Sequence, residues 1–171
     1  VIADTGAFDG LTPHERPTGG GQAAVVQLAE ALAAEGAAVR AFAQDARRIV
    51  QNGVAWRPLA DGLDAAADLY IANRSNHLLP EVPGAKRMVF ALHNPGRYLA
   101  KPRYLKWLWR RRPTLTVSGR SHERSLPWSV RMLPRMVSPL GEDPLFANVE
   151  RPADPPPPVA VFTSNPMRGL D

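Results

Sequence analysis

Apolar and polar positions follow two periods along the chain, one typical of buried strands and one typical of amphipathic helices. The strand-like runs predict strands over residues 1–5, 39–43, 54–57, 68–72, 87–92 and 114–117, with short extended pieces at 130–133 and 136–137. Between residues 22 and 35 the apolar side chains recur at i, i+3, i+4 and i+7, which predicts a helix. These are Val25, Leu28, Ala29 and Leu32, and Gly36 follows at the predicted C-terminal end. Strands that alternate with helical segments predict an α/β domain with a parallel sheet.

A second helix is predicted over residues 98–109, in a strongly basic segment. The chain has a net charge of +5, and nine of its 21 Lys and Arg lie between Arg97 and Arg124 against one Glu. This segment therefore has a charge of +8, whereas the rest of the chain has −3. Seven of its residues define what we call the basic aromatic patch: Lys101, Lys106, Trp107, Trp109, Arg110, Arg111 and Arg112.

Three interpretations of the basic aromatic patch are open. Aromatic rings among cations suit an anionic membrane surface. A packed helix with a solvated basic face would have the same composition. Nucleic acid is disfavoured as a partner, because no nucleic-acid motif accompanies the charge.

Composition excludes several classes of protein. The chain has no cysteine, so disulfides and thiolate metal sites are excluded. No run of 18 apolar residues is present, so no membrane span is predicted. The first residues, Val-Ile-Ala-Asp, are typical of a strand and not of a signal peptide, and together these features favour the cytoplasm. The four histidines lack metal-ligand spacing, so we expect no metal and no other cofactor.

The C-terminal residues predict a domain boundary. Residues 150–158 are rich in proline, as in a stiff extended linker, and residues 159–163 follow as a new strand. The predicted organisation is a domain over 1–149, a linker over 150–158 and the truncated start of a second domain over 159–171.

Several short motifs, taken in their order along the chain, resemble the N-terminal half of a GT-B glycosyltransferase of family 4. A Gly-Gly loop precedes the first helix, a strand ends in histidine, and another ends in Val-Ser. Two further segments resemble the end of that half and the start of the donor domain. The motifs are Thr18-Gly19-Gly20-Gly21-Gln22, Phe90-Ala91-Leu92-His93, Val117-Ser118, Pro139-Leu140-Gly141-Glu142-Asp143 with Phe146, and Val161-Phe162-Thr163-Ser164 with Arg168-Gly169-Leu170.

The resemblance implies a Rossmann-like sheet sandwiched by helices that forms the acceptor side of a retaining, two-domain transferase. Such an enzyme moves a sugar from a nucleotide-sugar to a hydroxyl of a saccharide or lipid-linked acceptor. It implies a cytoplasmic protein, for which a peripheral place at the inner face of the membrane is one alternative, and an inactive chain when the donor domain is missing. The implied roles are catalysis by His93, binding of the donor diphosphate by Gly19, Gly20, Gly21 and Arg168, and acceptor or cleft positions for Asp4, Asn94 and Ser118. The alternative is a non-catalytic Rossmann-like module that binds a nucleotide or another anion.

The residues themselves leave alternatives open at each of these positions. The N–H groups of a glycine-rich helix start favour a diphosphate, but the same loop is also typical of a flexible turn capped by Thr18. His93 follows a buried strand at the edge where α/β sheets bind ligands, yet a lone histidine also serves local structure. Ser118 needs a neighbouring base to act as a nucleophile, and the sequence shows none. Ser118 or Ser121 is therefore expected to cap the following helix.

Overall fold

A computed structural model describes residues 1–139, which form one α/β unit with eight strands and four α-helices. The strands are β1 (Ile2–Ala3), β2 (Val39–Ala43), β3 (Ile49–Gln51), β4 (Val54–Pro58), β5 (Ala66–Asn73), β6 (Gly84–Ala91), β7 (Thr114–Val117) and β8 (Arg135–Val137). The α-helices are α1 (Thr12–Glu15), α2 (Gly20–Ala34), α3 (Pro102–Arg111) and α4 (Arg120–Arg124). Short 3-10 helices occur at Leu59–Asp61, Asn76–Leu78, Gly96–Ala100 and Trp128–Val130.

The eight strands form one mostly parallel sheet in the order β3-β4-β2-β1-β5-β6-β7-β8. Every neighbouring pair is parallel except β3 and β4, which form an antiparallel hairpin at one edge. The parallel strands start at β1 in the centre, run outward through β2 and β4, and then return to fill the other side. This order is compatible with a Rossmann-like fold. It reverses between β1 and β5, so a crevice lies beyond the carboxyl ends of these two strands.

Apolar side chains cover both faces of the sheet, as buried parallel strands require. On one face, Trp56 and Ile71 pack in a cluster with Val25 and other buried residues of α2. On the other, Phe90 packs with Leu108 of α3 and with the residues around the 3-10 helices. The predicted α/β domain with a parallel sheet is therefore confirmed.

Helix α2 confirms the predicted helix and most of its predicted apolar face. Val25, Val26 and Ala29 are buried, whereas Leu28 is 42% exposed. Leu32 is partly buried against the same cluster, so the predicted apolar face is confirmed except at Leu28, and Val26 is buried in addition. The residue that caps the start of the helix is Gly19 and not Thr18.

The end of α2 is as the sequence predicts. Gly36 has a positive φ of 88°. Its N–H donates to the Ala33 carbonyl at 3.0 Å, and the Ala37 N–H donates to the Leu32 carbonyl at 3.0 Å. This pair of hydrogen bonds is a Schellman motif, which satisfies carbonyls that the helix leaves open.

Four local predictions need correction. The loop before α2 contains the short helix α1, and the strand β3 was not predicted. The helix predicted over 98–109 is divided at Pro102, which lacks the N–H that an uninterrupted helix needs. Residues 128–130 form a 3-10 helix and residues 131–133 are not a strand, so the extended piece predicted at 130–133 is wrong.

Three predicted features lie outside the described residues. They are residues 140–149 of the first domain, the linker over 150–158 and the second-domain strand over 159–163. Within residues 1–139, no helix combines the length and the apolar character needed to cross a bilayer.

A buried carboxylate organises the loop between β1 and α2. Asp9 is 2% exposed, and its Oδ1 accepts hydrogen bonds from the backbone N–H groups of Leu11 and Thr12. Arg47, which follows β2, donates from Nε to Asp9 Oδ2 at 2.6 Å and from Nη2 to Oδ1 at 2.7 Å. These charged hydrogen bonds hold the pKa of Asp9 well below its ordinary value.

We expect Asp9→Asn to destabilise the chain at neutral pH. The lost charge-assisted bonds are worth about 1–2 kcal/mol, since Arg47 remains partly solvated. Because the native pKa of Asp9 is lowered, its stabilisation is complete above the unfolded pKa of about 3.9 and is lost as the pH falls further towards the native value. Melting temperatures between pH 7 and pH 3 should therefore fall less steeply for the variant than for the wild type.

Asp68→Asn is the matched control, because Asp68 pairs with Lys86 but its side chain is 88% exposed. We expect little change in melting temperature from it. Equal effects of the two substitutions would contradict a structural role for the Asp9–Arg47 pair.

Candidate functional site

Four polar side chains and one helix start meet at the crevice where the strand order reverses. Asp4 follows β1, Asn73 ends β5, and Arg74 is the next residue. His93 lies two residues beyond β6. The start of α2 at Gly21 lies against Arg74 and His93. The carboxyl edge of a doubly wound sheet is where such folds bind ligands, so these residues form the candidate site.

Asp4 lies at the base of the crevice and is 1% exposed. Its Oδ1 accepts from the Gly6 N–H at 2.6 Å, and the side-chain amide of Asn73 donates to Oδ2. Arg74 Nη2 lies 3.0 Å from each carboxylate oxygen. A buried carboxylate is tolerated only with such partners, so Asp4 orients its neighbours rather than meeting a ligand directly.

The network determines which nitrogen of His93 holds the proton. Asn73 donates to Asp4 through its amide nitrogen, so its Oδ1 faces His93, whose Nε2 lies 2.8 Å away. A carbonyl oxygen only accepts, and Nε2 of the neutral ring therefore bears the hydrogen. Nδ1 is left with a lone pair, which can accept a hydrogen bond from a hydroxyl group.

His93 is held in its neutral form. Burial lowers its pKa below the ordinary value, and the positive charge of Arg74 lowers it further, against the opposite effect of Asp4. Two roles were expected for this ring: binding a sugar hydroxyl, or binding a leaving phosphate when protonated. The neutral ring supports the first role in the unliganded chain.

Glycine at position 21 allows α2 to start directly beside these side chains. A Cβ at Gly21 would lie 3.5 Å from Arg74 Nη1 and 4.0 Å from His93 Cγ. Arg74 itself has a positive φ of 60°, a conformation that costs energy outside glycine and that clusters at functional sites. The guanidinium thus lies between the buried Asp4 and the open start of α2.

The glycine loop forms the first turn of α2. Gly19 caps the helix, and its N–H donates to the side-chain oxygen of Gln22 at 3.3 Å. The N–H groups of Gly20 and Gly21 have no acceptor within the helix, as in any first turn. Together with the positive end of the helix dipole and Arg74, they offer an anion both hydrogen bonds and charge.

A second histidine, His122, contacts both Asn94 and Ser118, the two residues that the resemblance placed in the cleft. His122 Nδ1 lies 3.2 Å from Ser118 Oγ, and its Nε2 lies 2.7 Å from the backbone oxygen of Asn94. The expectation that no base lies beside Ser118 is therefore wrong, since α4 places one there. The expected cap is also wrong, because Gly119 and neither Ser118 nor Ser121 caps α4.

The basic aromatic patch divides into a structural part and an exposed part. Trp107 is half-buried against the core, and Lys106 and Arg110 lie over its ring at 5.3 Å and 5.9 Å from the centroid. Arg111 donates to the backbone oxygens of residues 81–83, the shortest at 2.7 Å to Val82, so it supports the loop before β6. The exposed members are Lys101, Lys106, Trp109, Arg110 and Arg112.

Asn73, Arg74 and His122 were missed from the sequence. A signal existed for the first two, since a polar pair directly follows the predicted strand over 68–72 at its carboxyl end. His122 gave no signal, because its contacts depend on how two loops meet. Arg168, expected at the donor diphosphate, lies outside the described residues. Within residues 1–139, no three acidic or histidine side chains come together as a metal site would need.

Comparison with known proteins adds no relative. No protein-family model, curated protein or solved structure matches this chain.

The geometry predicts how the charge of Arg74 acts on His93. Replacing Arg74 with Gln removes a positive charge beside the ring, so we expect the pKa of His93 to rise towards its ordinary value of about 6.5. Titration of the ring nitrogens by NMR measures this directly.

Arg74→Lys is the matched variant, because it retains the charge and should leave the pKa of His93 low. A pKa that rises equally in both variants would show that packing, and not charge, is responsible. An unchanged pKa in Arg74→Gln would contradict the electrostatic argument altogether.

Proposed function

We propose that this chain is the acceptor-side domain of a retaining glycosyltransferase that transfers a sugar from a nucleotide-sugar to an acceptor hydroxyl. The observation that supports it best is the meeting of His93, Arg74 and the glycine start of α2 at the reversal of strand order. The resemblance of the motifs around Gly19–Gly21, His93 and Ser118 to family 4 of the GT-B enzymes points to the same activity.

The anion-binding half of the site suits the diphosphate of a donor. The free N–H groups of Gly20 and Gly21 provide directed hydrogen bonds, and both residues lack a side chain that would keep a phosphate away. Arg74 adds a positive charge, and the Nη1 of its guanidinium lies close to Gly21. The loop supplies only a few contacts, so we expect weak binding by this domain alone, with a Kd of about 1 mM or weaker.

The neutral imidazole suits the sugar. His93 keeps Nε2–H on Asn73, so its Nδ1 is the atom that accepts a hydrogen bond from a sugar hydroxyl. Asn73 donates a hydrogen bond to Asp4 and accepts one from His93, and these two bonds hold the ring in one orientation. A fixed acceptor of this kind positions the sugar at the same crevice that binds its phosphates.

We expect UDP-glucose and GDP-mannose, tested as representative donors, to shift the NMR signals of Gly19–Gly21, Arg74 and His93. Gly20→Asp fits sterically, because a Cβ at this position meets nothing within 4 Å, and its carboxylate repels a phosphate. We expect it to weaken binding at least about fivefold, equivalent to about 1 kcal/mol. Gly20→Ala has the added Cβ without the charge and should bind within about twofold of the wild type.

Comparing the binding of a donor with that of pyrophosphate distinguishes a sugar-transfer site from a simple anion-binding module. At a transfer site, saturation-transfer NMR should detect the hexose protons of the donor, and His93→Ala should remove those signals while pyrophosphate still binds. Pyrophosphate binding with no hexose contact would instead favour the non-catalytic module. Micromolar nucleotide affinity, or sugar transfer by this chain alone, would contradict the two-domain assignment.

We propose in addition that the exposed part of the basic aromatic patch binds an anionic membrane surface. The acceptor would then be a lipid-linked sugar held in that membrane. Trp109 is 45% exposed, and Trp128, on the 3-10 helix that contacts α3, is 83% exposed. Exposed indoles among cations match the chemistry of lipid headgroups.

The chain should therefore sediment with vesicles that contain phosphatidylserine and be released as the salt concentration rises. A triple substitution of exposed patch cations, Lys101, Lys106 and Arg110 to Ser, should abolish binding, and it retains Arg111 because that side chain supports the loop at 81–83. The control replaces three exposed cations elsewhere, Arg57, Lys86 and Arg87, with Ser. Equal loss in both variants would indicate a general charge effect, and binding to neutral vesicles would contradict the electrostatic part of the proposal.

A further inference from the structure

His122 connects the loops that follow β6 and β7. Its Nε2 lies 2.7 Å from the backbone oxygen of Asn94, which can only accept, so Nε2 bears the hydrogen. Its Nδ1 accepts from the backbone N–H of Ser118 at 3.3 Å. Both nitrogens of the ring are therefore used, and the contacts specify a neutral ring with its hydrogen on Nε2.

Helix α4 holds the loop after β6 at a second point. The Gly96 N–H donates to Ser125 Oγ at 2.7 Å, and the same hydroxyl donates to the His122 backbone oxygen at 2.6 Å. The backbone at Gly96 also packs directly on Leu126, since a Cβ there would lie 2.5 Å from Leu126 Cδ2. The loop that bears His93 is thus supported by α4 and the residues just after it.

These contacts bear on His93 because Asn94 is its immediate neighbour. Asn73 orients the ring of His93 from one side, but a ring can keep that bond only if its backbone stays in place. We propose that His122 is a positioning residue, which holds the Asn94 carbonyl and thereby keeps the His93 ring on Asn73. The positional claim stands on geometry alone, and its consequence for sugar binding rests on the proposed function.

A direct role of His122 as the base of a Ser118 nucleophile is less well supported. Ser118 Oγ lies 3.2 Å from Nδ1, but the same nitrogen also accepts from the Ser118 backbone N–H. One lone pair cannot serve both donors fully. The contact to Asn94 is shorter and uses the one hydrogen of the ring, so positioning is the stronger inference.

Two substitutions at His122 separate its two contacts. In His122→Gln, the amide nitrogen lies near the place of Nε2 and can still donate to Asn94. In His122→Asn, the amide oxygen lies near the place of Nδ1 and can still accept from Ser118, but the bond to Asn94 is lost. Both variants remove the same titratable ring, so any electrostatic effect of His122 on His93 is equal in the two.

NMR of the His93 ring nitrogens is the readout, because it reports the ring itself and not the stability of the fold. We expect His122→Asn to raise the pKa of His93 by about half a unit or more relative to His122→Gln, as a loosened ring becomes better hydrated. The Nε2–H form of His93 should also give way to a mixture of tautomers in His122→Asn. His122→Gln should retain the wild-type tautomer.

Equal pKa values and tautomers of His93 in the two variants would overturn the proposal, whether or not both differ from the wild type. If His122→Asn fails to fold, the wild-type chain still decides the question, because a His122 ring with its hydrogen on Nδ1 could not hold Asn94 and would overturn the proposal too. A different result would contradict the proposed function alone: the pKa and tautomer of His93 change as expected, but the chain binds no nucleotide-sugar. The positional role would then stand without the transferase.

Discussion

The buried carboxylate of Asp4 is the interaction on which the site depends. A charge removed from water is tolerated only when it is paired and hydrogen-bonded. Its donors come from Gly6, from Asn73 at the end of β5 and from Arg74, so burying Asp4 determines where these residues lie. The amide of Asn73 then has only one orientation, and that orientation determines which nitrogen of His93 holds the proton.

Three chemically different groups result from this arrangement. A neutral imidazole and a guanidinium both lie close to the start of a helix, because Gly21 has no side chain to separate them from it. Each group would be unremarkable alone. Together they are the basis of the proposed nucleotide-sugar site, and they lie at the edge where doubly wound sheets bind ligands.

Much of the fold could be predicted from the sequence, because local patterns determine it. Buried strands leave apolar patterns in the sequence, and six of the eight strands were predicted as strands from such patterns. Gly36 predicted the end of α2, since a positive φ there favours glycine. His93 and the glycine loop could also be identified, because each lies next to a recognisable strand or helix. Where the local signal was weak, as for the short edge strand β3, prediction failed.

Tertiary structure alone decided which side chains meet. The contact of Asp4 with Asn73 joins residues 69 positions apart, and that of His122 with Asn94 joins residues 28 positions apart. No local period specifies such pairs, since they depend on the order of strands in the sheet and the path of two loops. The same holds for Arg111 and Arg110, adjacent cations on one helix, since Arg111 supports the loop at residues 81–83 and Arg110 faces solvent. The sequence by itself determined most of the strands, the C-terminal end of α2 and the place of His93 at the sheet edge, because these follow from neighbours along the chain. Their partners, their protonation and their burial were decided by neighbours in space.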